Sequence, residues 1–382
     1  MAKYTRYLKK DLLSDLKNQM VFIGGPRQVG KTTLSLSLLS QKNADESHPG
    51  YLNWDVLEDR ENLLHGNLPE KQRILILDEI HKFKQWRNLV KGFYDKNKSR
   101  ISFVVTGSAK LDYYRKGGDS LQGRYHYYRL HPFSLMEIDS NPNNDQLQQL
   151  LRFGGFPDPL LTGKDRFHRR WLRECSARII HEDLRDLELV REISMIDLLL
   201  THLPSCVGSP LSINSLSKLI QVAHQTLESW ICIMERLYVC FRIPPFGSKK
   251  IRAVKKEKKM YFWDWSRVPD SGSRFENMVA CQLNKYCHYI EDTEGFDMEL
   301  RYIRDTDKRE VDFVVLKDGR PEFAVECKVG EKTASPACKY FRERTDIPRF
   351  YQVHCGSKDT GSAETGTRVL PFLEFCKKLK MP

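Results

Sequence analysis

The stretch QMVFIGGPRQVGKTTLSLSLL, residues 19–39, constrains this chain more than any other. A short apolar run, Val21-Phe22-Ile23, feeds a glycine-rich turn from Gly24 to Gly30, and Lys31-Thr32-Thr33 then opens a Leu/Ser-rich helical pattern. The spacing G-x-x-x-x-G-K-T is met by Gly25, Gly30, Lys31 and Thr32, in the strand–loop–helix context that gives such a motif meaning. The loop Gly25, Pro26, Arg27, Gln28, Val29, Gly30, Lys31, Thr32 and Thr33 is expected to cradle phosphates, its backbone N–H groups turned inward. Lys31 would reach the β/γ-phosphates and the Thr32 hydroxyl would ligate Mg²⁺. The alternative for the same residues is a flexible Gly/Pro loop before a core helix.

Residues 73–81, RILILDEIH, support the first motif. Ile74 to Leu77 is a continuous apolar run, as a parallel strand buried on both faces requires. Asp78 ends that run, where open α/β sheets place their ligands, and is expected in the Mg²⁺ shell. Glu79 would orient and polarise an attacking water, which points to hydrolysis rather than passive binding.

With 382 residues, 40% of them hydrophobic and 11% aromatic, the chain has room for two or three cored domains. No apolar run approaches the roughly 20 residues of a transmembrane helix, so no membrane partner is expected. The basic, amphipathic N-terminus lacks a secretory apolar segment. The 10 cysteines form no C-x-x-C pair or zinc-spaced cluster, which fits reduced thiols in a cytoplasm. A net charge of +12 points toward polyanion partners.

Strand-like runs at Val21–Ile23, Tyr51–Trp54, Ile74–Leu77, Ile101–Thr106 and Tyr125–Leu130 alternate with helical patterns, predicting a doubly wound parallel α/β sheet. The polar segment SNPNNDQLQQ, residues 140–149, reads as a linker or loop, and residues 150–203 as helical. Beyond it come three helical patterns, the second N-capped by Ser212, and two strands around a basic turn. That order matches a winged helix. The run KKIRAVKKEKK at 249–259 has seven basic residues against one acidic and suits DNA phosphates. The third helix offers only Gln225 and Glu228 for reading bases, so contacts would be to the backbone. A solvated hairpin or a protein-docking surface is the alternative.

The last segment adds a further constellation. Asp312 lies in EVDFVV, Glu326 and Lys328 in VECKV, and Glu276 on a helical pattern before them. Residues two apart on a strand share a face, so Glu326 and Lys328 project together, with Asp312 able to meet them from a neighbouring strand. Asp312 and Glu326, joined by Glu276, would hold Mg²⁺ through oxygen ligands, with Lys328 orienting the nucleophile or neutralising charge. The same residues also read as exposed strand charges on a small α/β domain.

Taken in order, GPRQVGKTTL, ILILDEIH, VVTGSAKL, LQGRYHYYRLHPFSLMEI, FGGFP, FENMVACQL and EVDFVV with VECKV resemble prokaryotic AAA+-superfamily ATPases. In that family a P-loop domain precedes a winged helix and a restriction-endonuclease-like, PD-(D/E)XK-type domain. The resemblance implies an ATPase core over 1–140, a helical lid over 141–194, a winged helix over 195–268 and a nuclease-like domain over 269–382. It implies ATP and Mg²⁺ as cofactors. It also implies a sensor role for Thr106 or Ser108, and an arginine finger acting between subunits of a homo-oligomer. Arg124 is the expected finger, with Arg115 and Arg129 as rivals. The expected function is ATP hydrolysis coupled to DNA binding, with DNA cleavage by the C-terminal domain. The alternatives are an ATP-gated switch with a non-cleaving domain, or ATP-driven remodelling of a protein partner.

Overall fold

A computed structural model describes residues 4–39, 44–107, 121–178, 193–247, 257–360 and 366–382. The chain forms two compact units, Met1–Pro132 and Phe133–Pro382.

The first unit is built on five strands: β1 (Met20–Gly24), β2 (Tyr51–Asn53), β3 (Ile74–Asp78), β4 (Ser102–Thr106) and β5 (Tyr125–Arg129). Their order is β2-β3-β4-β1-β5 and every pairing is parallel, as the alternation of strand and helix patterns predicts. Strand β1 is buried along its whole length, because helices cover both faces of a parallel sheet and leave no polar side. Among the described residues four α-helices accompany the sheet: α1 (Lys9–Asp15), α2 (Lys31–Leu36), α3 (Leu57–His65) and α4 (Trp86–Asn97). On α4 the spacing of Trp86, Val90 and Phe93 makes one apolar stripe, which packs with Phe22, Leu75 and Phe103. Parallel register also aligns the strand ends. Asp78 lies opposite Thr106, and Ile23, just before the glycine-rich turn, lies opposite the same threonine.

In the second unit, short helices α5 (Leu135–Ile138), α6 (Asn144–Phe153), α7 (Pro157–Thr162) and α8 (Asp165–Arg178) come first. The expected linker at 140–149 is instead mostly helix. Asn143 and Gln146 close a capping box, and Leu147, Leu150 and Phe153 give α6 a buried face. Then follow α9 (Ile193–His202), α10 (Ile213–Ile220) and α11 (His224–Arg236), and the antiparallel pair β6 (Cys240–Ile243) and β7 (Lys259–Phe262). Ser212 does cap α10, accepting from the Ser215 N–H.

The long helix α12 (Ser271–Glu294) leads into β8 (Met298–Arg304), β9 (Glu310–Lys317), β10 (Arg320–Lys328), α13 (Pro336–Arg342), β11 (Phe350–His354), β12 (Thr367–Pro371) and α14 (Phe372–Lys378). The sheet order is β12-β11-β10-β9-β8, antiparallel through β8, β9 and β10 and parallel through β10, β11 and β12.

One buried ion pair ties α5 to α12. The Lys285 ammonium meets the Glu137 carboxylate, and Glu137 also accepts from the Ser134 N–H at 3.0 Å. Both side chains of the pair are almost fully buried. Breaking such a pair from one side leaves an uncompensated charge. Lys285→Ala is therefore expected to destabilise the protein by about 3–5 kcal/mol, read as a lower urea midpoint at unchanged m-value.

Candidate functional site

The phosphate-binding loop leaves the C-terminal end of β1, and its conformation depends on specific backbone angles. Gly25 has φ 135°, and a Cβ there would sit 2.3 Å from the Leu130 carbonyl oxygen, so no side chain fits. Gln28 at φ 59° and Gly30 at φ 94° also turn left-handed, the alternation that curls N–H groups into an anion-binding concavity. Pro26 and Val29 are buried and anchor the loop, whereas Arg27 and Gln28 are exposed on it. Lys31 arcs back over the loop, its Nζ donating to the Gly25 carbonyl at 3.0 Å and the Pro26 carbonyl at 2.7 Å. Thr33 is exposed on α2. Arg6, which no motif singles out, braces the loop by donating to the Val29 carbonyl at 2.7 Å and to the His131 carbonyl.

Asp78, buried at the end of β3, is the centre of a hydroxyl network. Thr32 Oγ1 donates to its Oδ2 at 3.0 Å, Tyr51 Oη donates to the same oxygen at 2.7 Å, and Thr106 Oγ1 donates to Oδ1. The expected partners Thr32, Asp78 and Thr106 are thus brought together. Tyr51 is an addition that sequence reasoning missed. It pairs with Ile76, so only the β2–β3 register shows that it reaches Asp78. Burial, then the charge of Asp78, pushes the Tyr51 hydroxyl well above its ordinary range and keeps it a donor.

Glu79 follows in a left-handed conformation, φ 54°, with its N–H donating to the Thr106 carbonyl at 3.1 Å. Its carboxylate lies 3.7 Å from both Lys82 Nζ and His81 Nε2. Burial, then the Asp78 charge, raises its pKa. An Mg²⁺–nucleotide fits these residues. Thr32 and Asp78 offer adjacent oxygens, and the loop has the curvature and the glycine that close approach of a phosphate demands.

Ser108 and Arg115 lie outside the described residues. Arg124 is expected to act in a neighbouring subunit's site rather than its own. It precedes β5, its carbonyl accepting from the Met20 N–H, so it sits at the sheet edge opposite the glycine-rich turn. Its Nε donates to Asp95 at 2.9 Å. It cannot serve the site of its own chain. Arg129, paired with Gly24, sits at the turn's end of the sheet.

In the second unit Glu276, Asp312, Glu326 and Lys328 do converge, but not on an open metal position. Lys259 Nζ, fully buried, lies 3.1 Å from Glu276, 2.5 Å from Glu310 and 3.6 Å from Asp312. Sequence reasoning placed Lys259 with the phosphate-facing lysines of 249–259. It lies instead in β7, pointing inward on the same face as Tyr261, whose Oη donates to Glu276 at 2.7 Å. The other oxygen of Asp312 accepts from the Cys327 N–H at 2.8 Å, and Lys328 takes Glu326 Oε1 at 2.5 Å. Glu326 Oε2 is buried without a partner.

Burial, then Asp312, raises Glu276 to about 7 and Glu326 to about 8. Burial alone would lower the pKa of Lys259, but Glu276, Asp312 and Glu310 more than offset it. Among the described residues no group of three or more His, Cys, Asp and Glu is disposed to hold a metal ion. The expected Mg²⁺ shell of Asp312, Glu326 and Glu276 does not fit this arrangement, because an ammonium already stands between the carboxylates. Glu228, expected to face DNA bases, is bound at 2.7 Å by Arg242.

Comparison with known proteins agrees with the first site. Residues 17–139 match a family model described as an AAA domain. Residues 144–268 and 271–375 match models described as Domain of unknown function (DUF8612) and Domain of unknown function (DUF4143). "Uncharacterized protein MJ1637" of Methanocaldococcus jannaschii is 24% identical over 399 residues, covering 88% of this chain and 80% of that protein. "Uncharacterized protein Rv2008c" of Mycobacterium tuberculosis is 22% identical over 341 residues, covering 83% and 71%. Among solved structures, a variant of Thermotoga maritima RuvB is 16% identical, with 62% of this chain and 87% of that one covered and a TM-score of 0.29. The first unit thus carries a P-loop domain of the AAA type. No described helix is long and apolar enough to cross a membrane.

Gly25→Ala tests the loop geometry. The added methyl group collides with backbone rather than with a flexible side chain. Nucleotide affinity is expected to fall at least tenfold in a fluorescent-nucleotide titration, with the far-UV circular dichroism unchanged.

Proposed function

We propose that this chain is a Mg²⁺-dependent ATPase whose nucleotide state governs how its second unit engages DNA. The observation that carries the ATPase reading is Asp78, buried at the strand end and met by Thr32, Tyr51 and Thr106 beside the phosphate loop. Lys31 leaves the loop carbonyls for the β/γ-phosphates, and Thr32 and Asp78 hold the metal. Bound Mg²⁺–ATP supplies the electrophilic γ-phosphoryl group and shields its charge. Glu79 orients the attacking water, and its raised pKa suits it to receive that water's proton. Tyr51 and Thr106 are positioning residues that hold the Asp78 carboxylate. Thr106 or Ser108 contacts the γ-phosphate or the attacking water. The finger comes from a neighbouring subunit of a homo-oligomer: Arg124, if the neighbour's site meets that sheet edge, or Arg129.

The functional segments are 1–140, 141–194, 195–268 and 269–382. The succession α9, α10, α11 and the β6–β7 pair supports a winged helix over 195–268. With Glu228 held by Arg242 and Lys259 buried, its DNA contacts are to phosphates, made by Lys258 and the basic residues of 249–256. Three antiparallel strands continuing into two parallel ones, with Asp312, Glu326 and Lys328 together, support a restriction-endonuclease-like fold over 269–382. Of the two outcomes for that domain, cleavage or a non-cleaving role, the buried Lys259 favours the second.

Paired variants test the ATPase. Lys31→Ala is expected to abolish ATP binding, and Glu79→Gln to bind ATP at near wild-type affinity while turnover falls at least a hundredfold. Unchanged binding in the first, or normal turnover in the second, would remove the corresponding role. DNA affinity that differs between the ATP- and ADP-bound protein, and falls steeply with salt, is the expected sign of coupling.

A further inference from the structure

The buried centre at β7, α12 and β9 carries an inference independent of the ATPase reading. We infer that the Lys259 ammonium is the resident cation of the Glu276, Glu310 and Asp312 cluster, so that this centre takes no divalent metal and its fold works without phosphodiester cleavage.

The placement is not that of a surface lysine caught by chance. Lys259 is fully buried, and its backbone is fixed twice over, in the β6–β7 ladder and in a bridge to Pro210. It reaches carboxylates from a helix and a strand at once, Glu276 on α12 and Glu310 and Asp312 on β9. Its backbone is held by the pairing with Ile243 at the end of the β6–β7 ladder and by the bridge to Pro210.

The ammonium occupies the space among the carboxylates that a hard cation would need. Glu276 Oε1 accepts from both Lys259 and Tyr261, and its Oε2 lies against Gly208, 2.9 Å from where a Cβ on that glycine would stand. Asp312 divides its oxygens between Lys259 and the Cys327 N–H. Glu310 gives one oxygen to Lys259 and the other to Arg304, at 2.8 Å. Among the described residues Glu326 Oε2 is buried without a partner, its sister oxygen holding Lys328, and Glu276 Oε2 carries no hydrogen bond. A Mg²⁺ ion bound through those oxygens would stand beside a fixed ammonium of like charge that already pairs with Glu276, Glu310 and Asp312. Without a metal, Lys259, Arg304 and Lys328 stand among the four carboxylates and leave one net negative charge.

The test uses the full chain without nucleotide, in an Asp78→Asn background that removes the ATPase metal ligand. Mn²⁺ is the probe, counted by electron paramagnetic resonance, with melting temperature as a second readout. With Lys259 present, the Mn²⁺ count is expected to be the same before and after Asp312→Asn, or after Glu326→Gln should the first variant not fold. Lys259→Met keeps most of the side chain's volume and removes its charge. It is expected to lower the melting temperature, millimolar Mn²⁺ is expected to restore it, and adding Asp312→Asn should abolish the restoration. The inference is overturned by a Mn²⁺ count in the Lys259 protein that drops with Asp312→Asn or Glu326→Gln. It is equally overturned by a Lys259→Met protein that Mn²⁺ does not stabilise. Should Lys259→Met not fold, the Mn²⁺ count decides alone.

Discussion

A carboxylate buried at the end of a β-strand is costly unless polar partners meet it, and at Asp78 the hydroxyls of Thr32, Tyr51 and Thr106 do so. Each arrives from a different element: the helix after the phosphate loop, the edge strand β2, and β4. They coincide because the sheet is parallel and in one register, so the C-terminal ends of β1, β3 and β4 open at the same edge. Slipping one strand by a residue would turn Asp78 or Thr106 to the other face and break the network. The same register sets Leu130 against Gly25, so the loop's shape and the carboxylate's partners follow from one constraint.

The second unit solves the same physical problem differently. Its polar centre carries full charges on both sides, with Lys259 among three carboxylates and Lys328 on Glu326. Buried ion pairs add little net stability over apolar packing, but they penalise any arrangement that separates the partners. Lys259 therefore holds β7, α12 and β9 to one another with a specificity that apolar contacts lack. Lys285 with Glu137 does the same for α5 and α12. In both cases a lysine takes a role that a reading of basic residues as surface charge does not foresee.

How much was legible beforehand can be judged residue by residue. The glycine-rich loop, Lys31, Thr32, the apolar strand ending in Asp78, and the parallel alternation around them are local patterns with a fixed period, and they appear where the sequence puts them. The convergence of Asp312, Glu326 and Lys328 was readable too, since strand alternation dictates which residues share a face. Two things were not. A helix capped by Asn143 looked like a linker, because its polar residues outnumber its buried ones. Lys259 looked like a phosphate contact, because its neighbours in sequence are lysines.

By itself the sequence determined most of the elements, the phosphate loop and the identity of the titratable groups, all of which rest on short-range chemistry and periodicity. Only the tertiary structure decided which of those groups meet. Tyr51 reaches Asp78 through a pairing between strands, and Lys259 reaches Glu276, Glu310 and Asp312 through the packing of β7 with α12 and β9. Burial then sets their chemistry. A lysine in water is a mobile charge for any phosphate, whereas one enclosed among carboxylates is a fixed cation, and no sequence window contains that difference.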